Sequence, residues 1–543
     1  MRQYPSVDFQ LADLWEALTD AGPDAECLVA GDVRHTRRSL DERASRLAHH
    51  LLDAGVGKGD HVGIYSYNRA EFVEAMLGCW KLGAVAVNVN YRYVADELRY
   101  LIDDADLVAM VAERTFVPLL DELVPEFPEL SVHLMLDDGA DHEPSAFEAT
   151  PYEEALAAAP AGREFGVERS PDDLYLLYTG GTTGMPKGVM WRHEDVFFAC
   201  YGGGNYFDPI SEPEQIRDNG TDPPARIDPL ALAPLMHGGG QWITFIGLYS
   251  GGKSTIYTAR HFDAHEVLRL IDREHPMTVA FVGDAMARPV AEAVLDPSST
   301  YDVSSLASLG NGGAMLTKAV RAQLQEAFPG AIVTDSYGAT ETGAAGTQVE
   351  QEGYTEGPKF TVNADTTVLD EDLRPVEPGS GERGMLARTG HIPLGYYKDP
   401  EKTAATFRTD ADGRRWVIPG DFATLDEQGR LVLFGRGSQS INTGGEKVFP
   451  EEVEAVLRSH PDVYDALVCG LPDERWVERV VALVQVREGV DALSLEDVQA
   501  HCRRHIAGYK VPRDLVLGPV KRTNVGKPDY VWARQRAQEA LTG

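Results

Sequence analysis

Along the first third of the chain, continuous apolar runs alternate with stretches whose apolar positions recur every three or four residues. Residues 40–54 carry apolar side chains at helical spacing, and residues 61–65 (HVGIY) form an unbroken apolar run of strand length. The same reading predicts a helix over 70–82, a strand over 84–89, a helix over 96–104 and a strand over 107–111. The alternation returns at 263–274 (helix), 278–282 (strand), 318–327 (helix) and 332–334 (strand). Strand–helix–strand units of this length lead to parallel sheets covered by helices. From Thr366 onward the texture changes. Short strand runs such as TTVLDEDLRPV, GERGMLART and LDEQGRLVLFG are separated by turn residues, which predicts a small antiparallel or barrel-like unit. After Phe434 a polar stretch, GRGSQSINTGG, precedes Pro450 and a helix over 451–458, and the remainder reads as a compact α+β unit. The expected fold is α/β: residues 1–437 hold two helix-covered sheets plus a small β-rich subdomain, and residues 438–543 a small α+β domain. Residues 202–204 and 211–224 read as surface loop.

A chain of 543 residues exceeds one hydrophobic core; at about 150 residues per unit it holds roughly three or four. With 43% hydrophobic and 25% charged residues, wholesale disorder is excluded. The formal charge of -35 repels nucleic acid and anionic lipid, so an anionic ligand must be met by local basic groups and backbone N–H donors. The five cysteines show no CxxC spacing, so neither a zinc site nor a disulfide framework is implied, and the set fits a reducing cytoplasm. Asp8, Asp13 and Glu16 near the start argue against a secretory signal. No apolar stretch nears the roughly 18 residues of a membrane span; residues 75–89 come nearest, broken by Gly78, Lys81 and Gly83.

The strongest chemical signal is residues 178–189, YTGGTTGMPKGV, a loop with four glycines, three threonines and a lysine after the strand-like DLYLLY. Glycines let successive N–H groups face one point, as phosphate binding requires, while Thr179, Thr182, Thr183 and Lys187 add donors and charge. The spacing is not Walker A, since no Ser or Thr follows Lys187. A second cluster, DSYGATETG at 335–343, follows the strand-like AIVT, at a strand's C-terminal end where open α/β sheets bind ligands. Tyr337 offers a flat face for a base, Thr340 a hydroxyl, and Glu341 a carboxylate suited to magnesium; by itself the cluster is as compatible with a surface turn. Asp421 suits a pair of ribose hydroxyls and Arg436 a phosphate, although each alone is an ordinary loop charge. Lys527, between Gly526 and Pro528, reads by default as a solvated lysine.

Taken together and in this order, these sets resemble the adenylate-forming superfamily of acyl-CoA synthetases, peptide-synthetase adenylation domains and luciferases. The resemblance spans essentially the whole chain and is nearest to actinobacterial fatty-acyl and steroid-side-chain CoA ligases. The stretches LLYTGGTTGMPKGVMWRHED, GDAMARP, IPLGYYKDPEKTAATF, GRGSQSINTGGEKVFPEEVE, IAGYKVPR and GKPDY carry it. It implies that Thr179, Gly180, Gly181, Thr182, Thr183, Gly184 and Lys187 wrap the β- and γ-phosphates of ATP. Adenine would lie between Gly313, Ala314 and Met315 on one side and Ser336, Tyr337 and Gly338 on the other. Asp335 would accept the adenine amino group, Thr340 would hold the α-phosphate and Glu341 the magnesium. Asp421 would hold the ribose, Arg436 ribose or phosphate, and Lys447 nucleotide or CoA phosphate. Lys527 would reach the reacting carboxylate and α-phosphate, so Lys527, Thr340, Glu341 and Lys187 are the expected catalytic residues. His237, Gly238, Gln241, Trp242 and Gly338 would meet the acid, with residues 238–240 leaving room for a bulky chain. Thr443, Gly444 and Gly445 would line a channel for coenzyme A. Two positions depart from the family pattern: Met315 stands where Pro is more common, and Asp335 where Asn or Gln is. A third is the hinge, Ser438 in place of Asp or Lys.

The implied reaction has two halves. A carboxylate attacks the α-phosphorus of ATP and expels pyrophosphate; a thiol, expected to be coenzyme A, then takes the acyl group and AMP leaves. The C-terminal domain would rotate between halves, withdrawing Lys527 and presenting the Thr443 face. The expected acid is a medium- or long-chain fatty acid or a steroid side-chain acid. Two rivals stand beside this reading: an acyl-AMP ligase that loads a carrier protein, and a nucleotide-binding regulator without catalysis. The first is disfavoured because no carrier domain follows Lys527, the second because adenine binding alone needs no such lysine. A homodimer is the default expectation for assembly.

Overall fold

The computed structural model describes residues 7–542 apart from 182–183, 315, 350–358, 437–440, 444–445, 474–476, 491, 507 and 524–527. The expectations for Thr182, Thr183, Met315, Ser438, Gly444, Gly445 and Lys527 therefore lie outside the described residues.

The first sheet has eight strands. Its centre is parallel, with His61–Tyr65 between Val85–Asn88 and Leu107–Glu113. All of His61–Tyr65 is buried, because helices cover both faces of such a sheet; the apolar run is therefore continuous where a half-exposed strand would alternate. At one edge the sheet turns antiparallel. Leu174–Gly181 pairs with Gly184–Arg192, and Gly395–Tyr396 adds outside it. The segment expected as a glycine loop after a strand is mostly this hairpin, with Thr179 opposite Lys187 and Gly181 opposite Gly184. Gly188 serves a packing purpose there, since a Cβ would meet the Tyr178 ring at 2.8 Å.

The second sheet has 15 strands, 14 of them along one path and Thr366–Leu369 paired off it with Gly384–Arg388. Glu26–Ala30, Ser254–Ile256, Pro229–Ala231, Thr278–Phe281, Ser308–Gly312 and Ile332–Ala339 lie side by side in parallel. The chain then reverses into Gly343–Val349. Lys359–Val362 pairs with that strand on one side and with Leu431–Arg436 on the other, through Lys359↔Val432 and Phe360↔Leu431. The small β-rich subdomain expected from Thr366 onward is joined through this pairing to the second sheet. A reversed strand leaves a row of open backbone groups, and a neighbouring strand satisfies them. The hairpin also lengthens Ile332–Ala339 well past the predicted 332–334, so Asp335 to Ala339 are strand residues, not a loop beyond one.

Other boundaries follow local chemistry. The predicted helix 318–327 is Lys318–Ala327. The one predicted from 263 begins at Ala264, because the Asp263 carboxylate caps it by accepting the N–H groups of His265 and Glu266. The expected surface loop 211–224 contains a short helix, Ile216–Thr221, whose buried Asn219 donates to the carbonyls of Gly204 at 2.7 Å and Tyr249 at 2.8 Å.

Ile441–Thr443, Glu446–Val448, Val463–Asp473, Val477–Val486 and Asp514–Leu517 form a separate five-stranded sheet. Helices Pro450–Arg458, Leu495–Arg503 and Tyr530–Thr542 accompany it. Phe449 meets Phe422 and Phe434 of the large sheet at ring distances of 5.7 and 6.2 Å. Arg288 lies 5.1 Å over the Tyr464 ring. No helix among the described residues is long and apolar enough to cross a membrane.

Candidate active site

The extended sheet brings together residues far apart in sequence. Tyr337, in the lengthened strand, donates its phenol to Asp421 at 2.5 Å, and its ring leans on Phe360. Asp421 and Arg436 sit directly opposite each other on neighbouring antiparallel strands; the Arg436 side chain lies outside the described part. Ser336 and Gly338, flanking Tyr337, are exposed. On the facing side, strand Ser308–Gly312 ends before Gly313, which turns away at φ 76° and would place a Cβ against nothing nearer than Val282 at 3.8 Å. Gly313 and Ala314, expected beside adenine, thus form a bend just past the strand.

Asp335 is held by partners within the protein. Its carboxylate is buried, paired with the buried Arg321 guanidinium and hydrogen-bonded by Asn311 at 2.8 Å. Asn311 also donates to the Ala314 carbonyl at 2.9 Å and accepts the Gly283 N–H at 2.7 Å. Burial raises the Asp335 pKa against the pull of Arg321. Through Asn311, the carboxylate expected to meet adenine is linked to the neighbouring strand and to the Gly313 bend.

Thr340 and Glu341, expected at the phosphates, lie at the tip of the same hairpin. Trp191 donates to the Thr340 carbonyl at 3.1 Å, and Arg388 donates to the carbonyls of Thr342 and, at 2.9 Å, Ala344. These bonds fix the turn from below. Glu341 accepts the Tyr396 hydroxyl at 2.9 Å. Tyr396 pairs with Val189 on the glycine-rich hairpin, which places that hairpin beside Glu341. Lys187 reaches Asp399 at 3.0 Å, and Lys402 lies 4.6 Å over the Tyr396 ring. Tyr396, Asp399, Lys402, Arg388 and Arg321 were not singled out from the sequence. The stretch IPLGYYKDPEKTAATF marks the first three, but only pairing with the hairpin gives them a place in the site.

The expected acid-binding residues divide. His237 is half-buried at the N-cap of helix Gly238–Tyr249. Gln241 is only 2% exposed, with its amide held by the Tyr175 hydroxyl at 2.5 Å and the Leu235 carbonyl at 2.8 Å. It lies on the helix's core face with Phe245, whose ring packs on Trp80 at 4.8 Å and Tyr201 at 5.1 Å. Of the three glycines, Gly238 and Gly240 are closely packed, a Cβ meeting Leu177 at 2.9 Å and the Pro234 carbonyl at 2.4 Å respectively. Gly239 alone faces open space. Trp242, Ile243 and Ile246 follow it at helical spacing and are partly exposed, giving the helix one apolar open face. In the C-terminal sheet Thr443 is buried, and Lys447 pairs with Asn442 through its backbone; the Lys447 side chain is outside the described part.

The AMP-binding enzyme family profile matches residues 15–397, and that of the AMP-binding enzyme C-terminal domain matches residues 452–527. The chain is 45% identical to the medium/long-chain-fatty-acid–CoA/3-oxocholest-4-en-26-oate–CoA ligase of Mycobacterium tuberculosis, over 98% of this chain and 97% of that protein. It is 45% identical to the 3-oxocholest-4-en-26-oate–CoA ligase of Rhodococcus rhodochrous, over 97% and 95%. Its fold is similar to that of the anthranilate CoA ligase AuaEII in complex with anthranoyl-AMP, with a TM-score of 0.81 at 24% identity over 99% of both chains.

Proposed function

The chain belongs to the AMP-binding enzymes and is an AMP-forming acid–thiol ligase, and we propose that the cleft around Tyr337, Glu341 and Lys187 makes an acyl-adenylate that is then passed to coenzyme A. One observation carries this assignment. A single hairpin, Ile332–Val349, supplies Tyr337 toward Asp421 at one end and Glu341 toward the glycine-rich hairpin at the other. A nucleotide laid along it would have ribose at Asp421, its α-phosphate near Thr340, and its outer phosphates at Lys187.

In the first half-reaction a carboxylate oxygen attacks the α-phosphorus, the bond to the β-phosphate oxygen breaks, and pyrophosphate leaves. Two anions must meet, so the site must offset charge that grows on phosphate oxygens. Lys187 does this at the outer phosphates and Lys527 at the reacting carboxylate. Glu341 supplies one hard carboxylate that would hold a magnesium ion, and such an ion would neutralise phosphate charge. In the second half-reaction a thiolate attacks the acyl carbon and AMP leaves. The C-terminal domain, whose boundary we set at Ser438, would turn so that Thr443, Gly444 and Gly445 replace Lys527 at the cleft. Water must be kept away between the two steps, since it would hydrolyse the mixed anhydride.

The acid is a medium- or long-chain fatty acid or a steroid side-chain acid, running from His237 along the open face of Gly239, Trp242, Ile243 and Ile246. The relatives named for such acids support this reading, as does the absence of any side chain at Gly239. A panel of fatty acids, a steroid side-chain acid and an aromatic acid, assayed for pyrophosphate release and then for thioester with and without coenzyme A, tests it. Acid-dependent pyrophosphate release and coenzyme-A-dependent thioester are expected. Thioester formed only on a carrier protein would favour the carrier-loading reading, and no acid-dependent release would refute adenylation.

A further inference from the structure

Lys187 has a lysine neighbour. The helix Pro400–Thr406 starts at Asp399, whose carboxylate divides its oxygens between two roles. One oxygen caps the helix by accepting the Lys402 N–H at 2.9 Å, and the other holds the Lys187 ammonium at 3.0 Å. Lys402, one turn in, lays its ammonium over the Tyr396 ring at 4.6 Å, and that phenol bonds Glu341. Burial and then the nearby Lys187 charge lower the Lys402 pKa, while Glu341 and Asp399 pull the other way. Two ammonium groups are thus gathered beside one loop glutamate, with a single half-exposed aspartate, 32% exposed at its side chain, bonded to one of them. Like charges repel, so such a pair persists where an anion of higher charge is meant to join it.

We propose that Lys402 and Lys187 together form the seat of the departing pyrophosphate, and that Asp399 holds Lys187 in place until the polyphosphate displaces it. This rests on the assignment of the glycine-rich hairpin to the outer phosphates of ATP. When the carboxylate oxygen bonds to the α-phosphorus and the bond to the β-phosphate oxygen breaks, the electron pair goes to that oxygen. Negative charge then builds on the pyrophosphate, where two cations stabilise it better than one. A partly exposed lysine–aspartate pair is weak, so exchanging Asp399 for a multiply charged phosphate costs little.

Isotope exchange between inorganic pyrophosphate and ATP, run with an acid that the panel shows to be adenylated, reads this site directly. Lys402→Gln should raise the KM for pyrophosphate roughly 10- to 100-fold, as expected for loss of one charged contact. Conversion of supplied acyl-AMP and coenzyme A to thioester should not change, and Lys402→Arg should restore most of the exchange. Asp399→Asn keeps a capping side chain but removes the competing charge, so it should lower the KM for pyrophosphate. An unchanged KM in Lys402→Gln would overturn the proposal, as would a parallel loss of thioester formation that Lys402→Arg does not rescue. A raised KM in Asp399→Asn would overturn the displacement step. Lys187→Ala separates the two levels: if it too leaves exchange untouched, the assignment of the hairpin to the phosphates has failed, and the seat with it.

Discussion

Lys81 and Lys187 are both bonded to carboxylates, and their surroundings differ in almost every other respect. Lys81 is fully buried, 2.6 Å from Glu16 and 2.6 Å from Asp41. Those carboxylates are also met by Arg169 at 2.9 Å and Arg163 at 2.7 Å. This network joins the first helices of the chain, Leu11–Ala21, Arg37–Asp53 and Ala70–Lys81, to the segment 163–169. Lys187 keeps 37% of its side chain exposed and holds one carboxylate, Asp399. A charge sealed from water must stay paired, because losing the partner leaves an uncompensated ion in a medium of low dielectric constant. An open pair is worth little and can be exchanged for a ligand. Both regions use the same residue types; solvent access decides which is scaffold and which is site.

Breaking the sealed network should give the largest effect. Lys81→Met keeps the volume but takes the buried cation from between two carboxylates, leaving each to its arginine alone, and should cost about 3–5 kcal/mol of stability in a urea titration. Turnover per folded molecule should stay near normal. A loss below about 1 kcal/mol would show that the arginines alone hold the network.

Lys527 extends the contrast to a lysine proposed to act in only one half-reaction. Lys527→Ala should slow acid-dependent pyrophosphate release on the order of 100- to 1000-fold, yet still turn supplied acyl-AMP and coenzyme A into thioester. Gly445→Leu should do the reverse, by obstructing the channel proposed there for coenzyme A. If both variants impair the same half-reaction, the two-state reading of the C-terminal domain fails.

Asp421 tests the ribose end. Asp421→Ala removes a charged acceptor bonded to Tyr337, and should weaken ATP binding by about 1.5–3 kcal/mol. Tyr337→Phe should weaken it less, because the carboxylate remains. Equal ATP affinity in wild type and Asp421→Ala, measured by calorimetry, would remove Asp421 from the nucleotide site.

The smallest effect is a pH dependence of the sealed network. Burial would raise the Glu16 pKa, but Lys81 and Arg169 outweigh it and bring it to about 2, from 4.5. The unfolded chain therefore takes up this proton first, so the stability Glu16 contributes is present above pH 4.5 and is lost as pH falls toward 2. Asp13, 2.5 Å from Arg169, runs the other way: burial raises it to about 6 from 3.8, and its contribution grows as pH falls through that range. Urea midpoints should thus drop below pH 4.5 in the wild type, and the drop should shrink in Glu16→Gln. An identical acid limb in the two proteins would show that other carboxylates control it.

How the site is assembled separates local from long-range information. His61–Tyr65 and Lys318–Ala327 were read to the residue, because strand and helix periods are written in the order of neighbouring side chains. Tyr337, Glu341, Lys187 and Asp421 were likewise visible as residue types in short motifs. The sequence alone determined which chemical groups are available and the elements that carry most of them. Tertiary structure decided the rest. Pairing of Lys359–Val362 with Leu431–Arg436 joined the β-rich unit to the second sheet. Helix Lys318–Ala327 brought Arg321 to the buried Asp335 carboxylate. The placing of Gly395–Tyr396 beside the glycine-rich hairpin brought Lys402 and Asp399 to Lys187. Helix packing put Gln241 in the core and left Gly239 open. Each of these contacts joins residues distant along the chain. Burial and competition among partners set their outcome, and neither is encoded in the periodicity of any one segment.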